Sequence, residues 1–316
     1  MVDIAMSIPI ATIRRHWPRI RLVLRWIWYL LVAVFVVAYV RRNAGLISST
    51  VREFNVLVLA ATAAVTVVGK VTLSVQCGTI TAHLGHSFSH RQTFWMYSAS
   101  DVVKYVPGGI WNAVARVKLY ADAGMARGHA TRAFALEKYW QVLGALATGA
   151  MALTPMLHEE LTGASPVSVV TASEVVLLAF AWAVLTFVGA HRITGHRPSI
   201  GFTVRSMVEQ SIMALALGAG LAIPLAVVDT NVGWLTAVGA FSIGRGVGYM
   251  AVFAPAGIGV REVITLWALG RGVDTDLALV ALGVNRVMTF VADVASFGAG
   301  AVMRRSETTP ATMSAE

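Results

Sequence analysis

Six stretches of this chain, about 24–40, 56–80, 133–154, 173–190, 205–227 and 277–302, are apolar runs of the length that crosses the ~30 Å hydrocarbon layer of a bilayer as a helix. Two further apolar stretches, about 94–120 and 235–270, are interrupted in the middle by Pro and Gly and carry charges inside and at both ends. A lipid-facing helix does not tolerate such interruptions. Backbone freed from helical bonding at membrane depth has to be covered by protein or line a wet cavity.

The composition agrees. Of 316 residues, 57% are hydrophobic and only 13% charged, against roughly 25% charged in soluble domains. No stretch is both long and polar enough to form a separate aqueous domain, which argues against a fused enzyme module. The formal net charge of +9 would point to nucleic acid in a soluble protein. Here it fits cytoplasmic loops that face anionic lipid, and no nucleic-acid partner is expected. Cys77 is the single cysteine, so an intrachain disulfide is impossible.

Residues 1–23 form a basic interfacial segment with Arg14, Arg15, Arg19 and Arg21; Arg25 follows just before the first apolar run. That run ends in Tyr39-Val40-Arg41-Arg42 with no small residues for cleavage, so it is expected to stay as an anchor. Trp17, Trp26 and Trp28 suit the headgroup level. Arginine in the N-terminus, basic residues in 116–132 and 191–205, and Arg304 and Arg305 place both termini and these loops in the cytoplasm. The loops 155–172 and 228–234 lack Lys and Arg and face out. The loop 41–55, with Arg41, Arg42 and Arg52, runs against this assignment.

The two interrupted stretches resemble each other. Tyr105-Val106-Pro107-Gly108-Gly109-Ile110 recurs as Phe253-Ala254-Pro255-Ala256-Gly257-Ile258, with the prolines 148 positions apart. At the same offset Gly124 meets Gly272, Glu137 meets Asn285 and Lys138 meets Arg286. Chance matching of small residues is the competing reading, since glycine is common in membrane helices. Three full crossings separate corresponding points, so a true repeat would be inverted, with repeat 1 at about 94–154 and repeat 2 at about 235–302. Paired interrupted segments in inverted repeats point to a binding site near the midplane of a transporter. Proline should stop the helices near Val106 and Ala254, and each new helix start offers unpaired N–H groups to a phosphate or carboxylate.

Ten ionisable residues fall in these regions: Asp101, Lys104, Arg116, Glu137, Lys138, Arg245, Arg261, Glu262, Arg286 and Asp293. They either pair with one another to hold the bundle or line a polar cavity. Six are basic and four acidic, which leaves room for an anionic headgroup. Glu137 and Lys138 are adjacent and so point about 100° apart, towards different partners. Lys104 can equally serve the loop carbonyls. Trp111 and Asn112 can touch lipid or simply pack. His83, His86 and His90 share a helical spacing, but without a carboxylate or cysteine partner they are expected to be a solvated stripe and not a metal site. Nothing matches a nucleotide-binding loop or a nucleophile elbow.

The run Lys104-Tyr105-Val106-Pro107-Gly108-Gly109 with Trp111 and Arg116, the helix segment Ala135-Leu136-Glu137-Lys138, and Pro255-Ala256-Gly257-Ile258-Gly259-Val260-Arg261-Glu262 together resemble the membrane part of lysyl-phosphatidylglycerol synthases, the flippase-like family. The likeness spans roughly residues 20–305, and Ala256 departs from it where the family usually has glycine. It implies lipid translocation without the soluble aminoacyl-transferase domain. The expectation is therefore an all-α polytopic membrane bundle, with a flippase-like domain over 24–303 and a cytoplasmic tail over 304–316. About six spans carry two re-entrant broken-helix segments in an inverted repeat. It is set in the plasma membrane and moves an anionic or phosphate-bearing (glyco)lipid headgroup between leaflets. The expected substrate-binding residues are Lys104, Tyr105, Pro107, Gly108, Gly109, Trp111, Asn112, Arg116, Glu137, Lys138, Pro255, Gly257, Gly259, Arg261, Glu262, Asn285 and Arg286, with no catalytic residue, metal or cofactor. The competing expectations are a non-transporting partner of a membrane glycosyltransferase or lipid synthase, and an integral-membrane enzyme using Glu137 or Glu262 as a base.

Overall fold

The computed structural model describes residues 26, 30, 34, 37, 38 and 40–308, apart from 106–109, 164–168, 230, 252, 253, 255, 256, 271 and 272. The side chains of 46, 160–162, 169 and 306–308 also lie outside it. Regular structure among the described residues is helical, with no strand. In chain order the α-helices are α1 (Ala44–Val51), α2 (Val56–His83), α3 (His90–Val102), α4 (Trp111–Asp122), α5 (Arg127–Thr162), α6 (Val169–Thr194), α7 (Ile200–Val228), α8 (Trp234–Met250), α9 (Val260–Leu269) and α10 (Thr275–Thr308). Five of these, α2, α5, α6, α7 and α10, are long and apolar enough to cross a membrane. They coincide with five of the six expected spans; most of the sixth, about 24–40, lies outside the described residues.

Local chemistry sets the helix starts. Asn55 accepts from the Val58 amide at 2.9 Å at the head of α2. Ser89 and Gln92 exchange side-chain and backbone bonds at 3.1 Å to open α3. Ser199 accepts from the Phe202 amide at 3.1 Å to open α7. The outer face of α6 shows Val176, Leu177, Phe180, Val184 and Val188 at helical spacing, all exposed. A face of this kind is stable only against lipid or another apolar surface.

Both interrupted stretches divide into two helices, but earlier than expected. α3 ends at Val102, and a 3-10 turn over Val103–Tyr105 carries the chain on; α8 ends at Met250. The expected stops were Val106 and Ala254. Proline carries no N–H for a helical bond, and on the first stretch the 3-10 turn over Val103–Tyr105 brings the helical run to the residue before Val106.

The boundaries recur along the chain. Val102 and Met250 lie 148 positions apart, as do the starts of α5 and α10 at Arg127 and Thr275. The starts of α4 and α9, and their ends, keep that offset to within one residue. Packing recurs as well: α2 lies on α7, α3 on α10, and α5 on α8. The pairs α2–α3, α3–α4, α4–α5 and α2–α10 have their counterparts in α7–α8, α8–α9, α9–α10 and α7–α5. Exchanging α2 to α5 for α7 to α10 thus returns the same neighbours.

α8 and α9 are held close by glycine. A Cβ on Gly244 would sit on Thr265 Oγ1 and 2.7 Å from the Arg261 carbonyl oxygen, and one on Gly248 would lie 3.1 Å from Arg261 Cβ. This approach fixes where the Arg261 side chain leaves its helix.

Candidate functional site

A cavity of about 620 Å³ lies between the two helix breaks. The 3-10 turn contributes Lys104 and Tyr105, the first turn of α4 contributes Trp111 and Asn112, and α5 contributes Phe134 and Lys138. Arg245 and Tyr249 face it from α8, Arg261 from α9, and Arg286, Thr289 and Phe290 from α10, while Gly257 and Ile258 complete the wall. Five basic side chains, Lys104, Lys138, Arg245, Arg261 and Arg286, meet one lining carboxylate, Asp101. Counting Asp293 and Glu262, which bond to these cations from behind, the basic groups remain in excess.

Several of the cations are held without neutralisation. Lys138 donates to Gln141 Oε1 at 3.1 Å and lies 5.2 Å and 5.5 Å from the ring centroids of Phe134 and Tyr249. Arg245 bonds to Met213 Sδ at 2.7 Å and to the Tyr249 hydroxyl at 3.4 Å, with its guanidinium 5.1 Å from that ring. Neither has a carboxylate partner among the described residues. Arg261, 9% exposed, stands over the Phe241 ring at 5.0 Å. Its Nε and Nη2 are buried without a hydrogen bond, and Nε lies 3.5 Å from Glu262 Oε1. Aromatic faces steady a cation and leave its N–H groups uncommitted. A buried guanidinium short of acceptors suits a carboxylate or phosphate, two oxygens of which it can grip with parallel bonds.

Arg286 is oriented by Glu262, whose Oε1 accepts from Arg286 Nε at 2.7 Å. Glu262 Oε2 accepts from the Gly259 amide at 2.8 Å and closes the start of α9, with Gly259 at φ +85°. Gly259 and Gly257 (φ +67°) occupy backbone that only glycine adopts at little cost.

On the α3 side, charges interlock. Lys70 bonds to both Asp101, at 3.2 Å, and Asp293. Lys104 bonds to the same two carboxylates at 2.9 Å and 2.8 Å. The Tyr105 hydroxyl donates to Asp293 Oδ2 at 2.6 Å. The quartet balances two cations against two anions and ties α2, α3 and α10 together.

Not every expected site residue faces the cavity. Arg116 and Glu137 are each 1% exposed and bond to one another at 2.6 Å. Arg116 also bonds to Ser100 Oγ, Cys77 Sγ and the Tyr97 carbonyl, and Glu137 accepts from the Tyr120 hydroxyl. The pair is saturated and does not line the cavity. Asn112 borders the cavity but donates to the Ser100 carbonyl at 2.8 Å, capping the end of α3. Asn285 is buried and does not line it. Pro107, Gly108, Gly109 and Pro255 lie outside the described residues. Missing from the expected site were Arg245, Tyr249 and Thr289. The four-residue spacing of Arg245 and Tyr249 on an otherwise apolar helix was the available signal.

The histidine stripe separates. His83 stacks on Phe202 at 4.1 Å and meets His196 edge-on, His86 meets His129, and His90 opens α3. Among the described residues no group of His, Cys, Asp or Glu has the arrangement of a metal site. Compared with known proteins, the chain matches no protein-family model and no curated protein.

Proposed function

We propose that this protein moves an anionic, phosphate-bearing lipid headgroup between the two leaflets of a membrane, as a relative of the flippase-like part of lysyl-phosphatidylglycerol synthases. The observation that carries this reading is the cavity between the helix breaks, with five cationic side chains, two of them lacking a carboxylate and a third, Arg261, short of acceptors. A headgroup phosphate would bridge Arg245, Arg261 and Arg286, and Lys138 would complete the cage. The acyl chains stay in lipid while the headgroup crosses a wet, charged layer, which avoids most of the desolvation cost.

The recurring helix boundaries and the exchangeable packing support a duplicated unit. With three crossings between corresponding points, the second copy runs opposite to the first, so the two breaks open toward the cavity from opposite faces. On this reading the interrupted stretches, about 94–120 and 235–270, are re-entrant, the membrane is the plasma membrane, and both termini are cytoplasmic.

The test is reconstitution into vesicles that carry labelled phosphatidylglycerol, aminoacylated phosphatidylglycerol or polyprenyl phosphate in one leaflet. Accelerated exchange of at least one of these, lost in R261Q while the protein stays folded, is the expected result. Exchange at the protein-free rate for all three overturns the proposal.

A further inference from the structure

We infer that the quartet of Lys70, Asp101, Lys104 and Asp293 is a proton-binding site coupled to the cavity, filled when an anion draws Lys104 away from the two aspartates. This rests on the anion-binding reading of the cavity.

The four side chains are unequal. Lys70, Asp101 and Asp293 sit within the helices α2, α3 and α10, and their side chains are 5%, 10% and 1% exposed. Lys104 sits on the 3-10 turn beyond α3, at 26% exposure, and lines the cavity. It is the cation of the quartet that lines the cavity and so can meet an anion there, and the one member carried outside an α-helix. With Lys104 in place the quartet is neutral. When Lys104 turns to a phosphate, Lys70 faces two carboxylates alone, and one negative charge is left in a layer that does not solvate it. A proton removes that charge.

The geometry selects the carboxylate. Asp293 keeps Lys70 on Oδ1 and the Tyr105 hydroxyl on Oδ2 after Lys104 leaves. Asp101 loses its nearer partner at 2.9 Å and keeps Lys70 at 3.2 Å. Asp101 also lines the cavity, so a proton reaches it by the same route as the anion. The other titratable groups nearby do not substitute for it: Tyr97 on α3 lies under the Arg116 guanidinium at 4.8 Å, and Tyr249 on α8 lies beside Arg245. Arg116 itself is committed to Glu137. Each anion that enters therefore carries about one proton with it.

The test has two arms. K104M is a permanent form of the withdrawal and needs no ligand. In ester-free detergent at neutral pH, infrared spectra of K104M should show a protonated carboxyl absent from the wild type and from K104R, and K104M/D101N should lack it. Carboxylates that stay ionised in K104M, or a protonated carboxyl that survives in K104M/D101N, overturn the assignment. In the second arm, dihexanoyl phosphatidylglycerol, whose phosphate does not titrate near neutrality, is added to wild-type protein in weak buffer with a pH indicator. Uptake of about one proton per lipid bound is expected. Binding without uptake, including binding that depends on sodium, overturns the coupling. Absence of binding counts against the anion site instead, and the K104M arm still decides the quartet.

Discussion

Arg116 on α4 reaches Glu137 on α5 through a 2.6 Å bond, both side chains 1% exposed. Arg116 also bonds to Cys77 and Ser100, so three helices besides its own meet at one guanidinium. The pair holds α2, α3, α4 and α5 in register behind the cavity. Removing one partner strands a buried charge, at a cost of about 3–5 kcal/mol. R116M and E137L should each lower stability by that order in detergent unfolding, and R116M/E137L by less than the sum. Additive losses would show that the two side chains act separately.

The cavity cations should behave differently. R245Q and K138M remove charges that have no carboxylate partner among the described residues, and R261Q leaves Glu262 still paired with Arg286. Each should weaken binding of an anionic lipid about 10- to 100-fold, as expected for loss of charge-assisted hydrogen bonds, while shifting the unfolding midpoint little. Equilibrium binding and thermal unfolding measured on the same preparations separate this from general damage.

At the glycine contact, G244A should cost more than G248A. The first Cβ meets the Arg261 backbone oxygen at 2.7 Å, and the second meets a side-chain carbon at 3.1 Å. Overpacking of this kind costs about 1–3 kcal/mol. Because α9 carries Arg261, G244A should also lower anion affinity, and lipid titration of both variants checks the order.

The membrane orientation can be read with an impermeant maleimide in a C77S background. Cysteines at Val170 and Asn231 should label from outside in intact cells, and those at Ala126 and Arg197 only after permeabilisation. Cys77 in the wild type is buried and should label only on unfolding. Labelling of A126C from outside would reverse the topology.

The sequence carried the spans and the two breaks because both are local. A run of apolar residues has to be helical in lipid, and a proline acts within one turn of itself. The α-helices end four residues before the expected stops at Val106 and Ala254, and on the first stretch a 3-10 turn carries the helical run on to Tyr105. The different directions of Glu137 and Lys138 were legible from the 100° step between neighbours, and the structure sends one to Arg116 and the other into the cavity. The choice between pairing and cavity-lining was not legible for Arg116. Its partner lies 21 positions on, and nothing local distinguishes a saturated guanidinium from an open one. Asp293 and Lys70, 223 positions apart, meet only because α2 packs against α10.

The ten residues of α9 rise about 15 Å, at 1.5 Å per residue, half the ~30 Å of hydrocarbon. On the re-entrant arrangement proposed above, a helix so short leaves the insulating layer thin beside the cavity, and a membrane voltage falls across that thin part. A lone monoanion crossing it would do electrical work of about 2.3 kcal/mol per 100 mV. A monoanion accompanied by a proton is neutral and does none. Exchange of phosphatidylglycerol by this protein should therefore be indifferent to a potassium diffusion potential and sensitive to a pH gradient, so the current through the membrane, and not only the lipid, reports what crosses.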